Sequence, residues 1–204
     1  MHFSTIFAAA ALASTAFAEN HVVAVGTKTG ELVFQPDSIK AAQGDTVTFR
    51  FWPKNHSIAQ AAFAKPCEPL ERGFWSGFVP TTNAQAAANQ TFVYEVKNAS
   101  APIWFYCSQG QHCQAGMVGV INPPQSGERT LAAFKNSSKA ATSNVSPSST
   151  AGTGGKLAEN SSSSTSGGPS SSASGPARST GAASQLTGNV AFAGFAGLFT
   201  YFLL

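Results

Sequence analysis

Charge is scarce in this chain, with 12 lysines and arginines and 9 aspartates and glutamates in 204 residues. With no basic patch, it lacks the electrostatic footprint of a nucleic-acid binder. Cysteine and methionine are scarcer still, at three and two, and there are four histidines. So few histidines, without a His-Cys-His run, cannot supply the clustered centres of a multicopper oxidase. An odd cysteine count leaves at least one thiol outside any disulfide. No long amphipathic stretch occurs, which removes the main sign of a helical fold.

What is present divides the chain by composition. Residues 1–18 read as a secretory leader. Ile6 to Phe17 is an apolar, small-residue run, and Ala16-Phe17-Ala18 fits the cleavage rule, making Glu19 the expected mature N-terminus. Residues 135–188 are dominated by Ser, Thr, Gly, Ala and Pro. With little to bury, such a segment is expected to be a disordered stalk of the O-glycosylated kind. Val190 to Leu204 is uncharged and mostly apolar, and shorter than the roughly twenty residues of a membrane span. Small residues, a polar spacer and this tail match a GPI-attachment signal. On that reading 182–204 is a propeptide, the lipid joins near Gly181, and the protein sits outside the cell on the plasma membrane or in the wall. Residues 19–134 remain as one domain of ordinary size, with eight basic and eight acidic residues.

That domain reads as all-β. In Thr46–Trp52, Val47, Phe49 and Phe51 alternate with Thr48 and Arg50; in Thr91–Val96, Phe92, Tyr94 and Val96 alternate with Val93 and Glu95. A period of two predicts half-buried strands. Val22–Val25, Ile103–Cys107 and Met117–Ile121 are apolar runs of strand length, and Ala84–Ala88 is a candidate short helix. Short strands separated by turn signals point to a sandwich or barrel.

The chemistry-bearing residues cluster. Cys107, His112, Cys113 and Met117 fall within eleven residues, between two apolar strand-like runs. One inter-strand loop could therefore turn Cys107, His112 and Met117 towards a point. His56 follows the Val47–Trp52 strand and offers a second imidazole. A thiolate, two imidazoles and a thioether form the blue-copper donor set. Structural zinc is the inorganic rival, but it prefers closed Cys/His tetrahedra without methionine. We expect one copper ion on His56, Cys107, His112 and Met117. Metal at Cys107 leaves Cys67 to pair with Cys113; Cys107–Cys113 is the competing bridge.

Phe105-Tyr106-Cys107, then four residues, then His112-Cys113-Gln114-Ala115-Gly116-Met117 resembles the copper motif of phytocyanin-like cupredoxins. Phe34-Gln-Pro36, Gly44-Asp45-Thr46-Val47 and Asn55-His56-Ser57 are similar to the same family. With the Ser-rich stalk and tail, the architecture resembles fungal GPI-anchored, serine-rich cupredoxin-like proteins. The resemblance covers roughly 22–122. It implies a Greek-key β-sandwich, a disulfide ending just after the ligand histidine, and single-electron transfer through the exposed edge of His112.

Four ligands leave no open position for substrate, so we expect a non-enzyme. The partner would be an extracellular redox protein or a wall component, with membrane contact through the GPI lipid and no nucleic acid. The main alternative is a structural or adhesive wall protein in which metal is incidental; Phe74–Phe78 would be its sugar-stacking platform, although that segment reads more readily as core packing. A copper oxygenase would need an N-terminal histidine, and His21 lies two residues too far in. Six sequons occur. Asn89, Asn98, Asn136, Asn144 and Asn160 are candidate glycan acceptors; Asn55, beside His56, is expected to stay unmodified.

Overall fold

The computed structural model describes residues 17–159. Most of the expected leader lies outside the described residues. So do Asn160, the stalk beyond it, Gly181 and the 182–204 propeptide.

Two sheets face each other. The first contains β1 (Asn20–Val25), β2 (Phe34–Gln35), β4 (Thr46–Phe51), β8 (Gln90–Glu95) and β11 (Lys156–Glu159), in the order β11-β8-β4-β1-β2. The second contains β3 (Ser38–Ile39), β6 (Ala59–Ala61), β9 (Ile103–Tyr106) and β10 (Val118–Ile121), in the order β3-β10-β9-β6. A small ribbon pairs β5 (Lys54–His56) with β7 (Val79–Thr81). β1 lies parallel to β4, with Asn20 opposite Thr46, and β3 lies parallel to β10. Chain-distant strands thus become neighbours, as expected of a Greek-key sandwich.

The core forms where the alternation predicts it. Val47, Phe49 and Phe51 on β4 and Phe92 on β8 are fully buried. Phe105 from the opposite sheet meets Phe49 and Phe34 edge-on, with ring centroids 5.4 Å and 5.0 Å away. Such pairs contribute about 0.5–1.5 kcal/mol each beyond the area they bury. β9 and β10 do not alternate because both of their faces are covered, which is why they read as unbroken apolar runs. Ile103, Phe105 and Cys107 face the inner core. Trp104, Tyr106, Val118 and Val120 join a second cluster on the outer face.

That outer cluster moves the expected end of the domain. The fold does not stop at Phe134, and residues 135–159 are not a disordered stalk. Helix α1 (Leu131–Lys139) is capped by Thr130, whose side chain accepts the Ala133 N–H. It sets Phe134 against Trp104 and Phe63, with centroids 4.7 Å and 5.9 Å away. The described residues then cross the outer face and reach β11, which pairs with β8 from Glu159–Gln90 to Lys156–Val93. A Ser/Thr/Gly-rich segment can do this because strand pairing uses backbone groups that every non-proline residue carries. Little apolar surface is needed where a sheet edge supplies the partners.

One smaller expectation changes and another holds. Ala84–Ala88 forms a turn, not a helix, with Asn83 accepting the Gln85 N–H on its side chain and the Ala86 N–H on its carbonyl. The segment Phe74–Phe78 packs as core, as expected, rather than forming a platform: Phe74 and Trp75 are buried in the two cores and only Phe78 is substantially exposed.

Candidate metal centre

The site lies at one end of the sandwich. Strand β9 delivers Cys107 just past its last residue, and β10 begins just after Met117. The Cys107 N–H donates to the Met117 carbonyl at 3.1 Å, and the Met117 N–H to the His112 carbonyl at 3.0 Å. These bonds fold the 107–117 loop back on itself, so the fivefold spacing of its residues becomes proximity. Cys107 and Met117 are both fully buried in the inner core. His56 arrives from β5, also fully buried.

Cys107 Sγ lies 3.4 Å from His112 Nδ1 and 4.0 Å from His56 Nδ1. The three donor atoms all fall within 4.8 Å of one another. Two bonds of about 2.0–2.3 Å meeting at about 120° would separate a sulfur and a nitrogen by roughly 3.6 Å, so the cluster fits one small transition-metal ion. Each imidazole presents the same nitrogen. On His56 the other ring nitrogen, Nε2, donates to the Pro53 carbonyl at 3.2 Å. That bond puts the proton on Nε2 and leaves the Nδ1 lone pair facing the sulfur.

Burial sets the protonation of these groups. It holds His56 well below its usual range, at about 4, helped by the nearby His112. It also lowers His112. Both rings are therefore neutral donors at physiological pH. Burial pushes the Cys107 thiol up, against the hydrogen bonds from Gln109 and Ser57 that favour the thiolate. Without a cation the sulfur keeps its proton; a metal replaces that proton and restores the balance.

Several supports carry no sequence motif. The Ser57 N–H points at Cys107 Sγ from 3.4 Å, and the Ser108 N–H donates to Ser57 Oγ at 2.9 Å. Ser146, from the supposed stalk, joins them through Ser108 Oγ at 3.1 Å. Asn55 Nδ2 donates to Gln109 Oε1 at 2.8 Å, tying the His56 strand to the Cys107 loop. Gly26 has φ +78°, and a Cβ there would stand 2.6 Å from His56 Nε2, so only glycine lets the β1 turn close over that ring.

Asn144, an expected glycan acceptor, has its side-chain amide engaged within the fold. Its Nδ2, the atom that would carry the sugar, donates to the Cys107 carbonyl at 3.1 Å and the Gly110 carbonyl at 2.9 Å. Both amide hydrogens hold the ligand loop. Next to it, the Val145 N–H bonds the Cys67 carbonyl at 2.8 Å, and the Tyr106 hydroxyl donates to the Val145 carbonyl. Asn89, Asn98 and Asn136 are exposed. Cys67 and Cys113 form the disulfide, which leaves Cys107 free and ties the far side of the loop to residue 67. His21 is not part of this cluster; it is bonded to Asp45.

Comparison with known proteins fits this geometry. Residues 21–122 match the model of the copper-binding proteins of the plastocyanin/azurin family. The chain is 36% identical over 182 residues to a probable GPI-anchored cupredoxin-1 of Arthroderma benhamiae, covering 89% of this chain and 88% of that one. It is 38% identical over 144 residues to an extracellular serine-rich protein of the same fungus, but spans only 54% of that relative's length. Among solved structures, native pseudoazurin from Hyphomicrobium denitrificans is 20% identical with a TM-score of 0.37, over 58% of this chain and 93% of that one. Matched by its family model through both sheets and by a relative nearly along its whole length, the chain belongs to the copper-binding plastocyanin/azurin family, the cupredoxins.

Proposed function

We propose that this protein is a cell-surface cupredoxin that holds one copper ion on His56, Cys107, His112 and Met117 and passes single electrons. The observation that carries this is the buried Cys107 sulfur faced by two imidazole Nδ1 atoms at 3.4 Å and 4.0 Å. Bound there, copper would supply a one-electron couple, with thiolate favouring Cu(I) and imidazole accepting Cu(II).

The chain's own part is to orient and to exclude. The Pro53 carbonyl fixes the His56 tautomer, the Ser57 N–H steadies the thiolate, and the inner core keeps water from Cys107 and Met117. His56 is fully buried and His112 half-buried, so an electron would enter or leave by the His112 edge. With four protein donors there is no room for substrate, and the protein is not an enzyme.

Secretion through the 1–18 leader and lipid attachment near Gly181 would place the domain outside the cell. The relative described as GPI-anchored supports that placement, and among the described residues no helix is long and apolar enough to cross a membrane. The partner would be an extracellular redox protein or a wall component.

The test is the visible and EPR spectrum of the secreted protein loaded with Cu(II). We expect an intense thiolate-to-copper band that Cys107→Ser abolishes. A colourless protein that takes up no stoichiometric copper would overturn the redox function and leave a structural wall protein.

A further inference from the structure

The opposite end of the sandwich carries a second group of donors. β1 and β4 start there side by side, and β4 runs the whole way to the copper end, about 20 Å for its six residues. Asp45, just before β4, is buried, while Glu19 just before β1 is exposed and His21 half-buried. His21 Nε2 lies 3.0 Å from Asp45 Oδ2. The carboxylate oxygens of Glu19 and Asp45 and the His21 ring nitrogen fall within 4.8 Å of one another. All three residues line an open surface pocket of about 610 Å³, bordered elsewhere by Pro102 and residues 122–125.

We propose that Glu19, His21 and Asp45 form a second metal site, for a divalent ion that takes nitrogen and oxygen donors, Zn(II) or Cu(II). Two bonds of about 2.1 Å meeting at 90–110° put their donor atoms roughly 3.0–3.4 Å apart, and the His21–Asp45 separation fits that edge. Asp45 is ionised throughout the physiological range: the His21 hydrogen bond, then the Glu19 and Ala42 N–H bonds, hold its carboxyl at about 2. The cation in the same cavity, Lys40, has its ammonium drawn to the Pro123 carbonyl at 3.0 Å. His21 Nε2 donates to the ionised Asp45 carboxylate; a metal ion would take the place of that hydrogen, leaving the ring proton on Nδ1.

Processing makes the site richer. The Glu19 backbone nitrogen is 2.9 Å from Asp45 Oδ1. Cleavage after Ala18, as proposed above, turns that nitrogen into an N-terminal ammonium, which becomes a fourth donor when a bound metal displaces one of its protons to solvent. The two ends then differ in chemistry. One has a thiolate and a thioether that stabilise Cu(I); the other has only imidazole, carboxylate and amine, which do not.

The experiment uses the full chain as secreted, first loaded with one equivalent of copper and freed of excess. Zn(II) is then titrated by calorimetry. We expect one Zn(II) per chain, with affinity falling about tenfold or more in His21→Gln and in Glu19→Ala. The thiolate-to-copper band should not change. Glutamine can still donate to Asp45, and the Glu19 side chain is exposed, so neither variant should unfold. Absence of zinc uptake, or uptake that both variants leave unaltered, overturns the proposal. A chain that takes no copper fails the redox function separately, and the same titration on it, with the same variants, still decides this site.

Discussion

The two faces of the β3-β10-β9-β6 sheet do different work with alternate residues of the same strands. Ile103, Phe105 and Cys107 point inward to the other sheet, together with Met117. Trp104, Tyr106, Val118 and Val120 point outward, to Phe134 of α1 and to the Cys67–Cys113 bridge. The inner face supplies two proposed metal donors. The outer face supplies none, yet its tail supports the ligand loop from behind through Asn144 and Ser146. A metal centre here is thus held from both sides of one sheet, with chemistry on one side and scaffolding on the other.

Substitutions can separate those roles. Phe134→Ala empties the joint between α1, Phe63 and Trp104, and should lower stability by about 3–5 kcal/mol in chemical denaturation. The copper band should keep its position, because no inner residue moves. A shifted band would mean that the faces are not independent.

Replacing Cys67 and Cys113 together with serine opens a bridge of sequence separation 46, worth up to about 4 kcal/mol in the chain-entropy model. Since Cys113 follows His112 directly, this change should also weaken copper uptake, which an equilibrium copper titration would measure. Equal copper affinity with and without the bridge would restrict it to the outer scaffold.

Acid should act from the inner side. In the copper-free protein His56 titrates at about 4 instead of 6.5. The unfolded chain therefore binds more protons between those values, and stability falls as pH drops from about 6.5 to about 4. The loss should be on the order of 2 kcal/mol after allowing for water near the loop, and His112, also lowered, acts in the same direction. His56→Gln should flatten most of this slope in denaturation curves taken at several pH values.

The smallest effect should come from the residue that joins the faces. Asn144→Ala removes two hydrogen bonds to the ligand loop, costing about 1–2 kcal/mol. Unlike Phe134→Ala, it should also shift the copper band. Ser146→Thr keeps the sequon, and peptide mass spectrometry of the secreted protein should find Asn144 without sugar. An occupied Asn144 would contradict the bonds described here.

The inner face was legible in the sequence; of the outer face, the Cys67–Cys113 bridge and the β10 run were, and its covering segment was not. Alternation at Val47, Phe49 and Phe51 located β4, and the run Ile103–Tyr106 located β9. The grouping of Cys107, His112 and Met117 was written in their spacing along one loop. By contrast, β2, β3, β5 and β6 span two or three residues each, too few to show a period. β11 and the Asn144 crossing lie in a segment whose composition reads as unstructured.

Residue type and local spacing determine which donors exist and which strands are half-buried, because ligand chemistry and amphipathicity are properties of side chains. Only the tertiary structure decided that residues 131–159 complete the fold, that Gly26 makes room for His56, and that both histidines turn Nδ1 towards the sulfur. Those outcomes rest on backbone hydrogen bonds and close approaches between distant segments. Nearly every residue offers the same backbone groups, so such contacts leave no mark in the side-chain pattern.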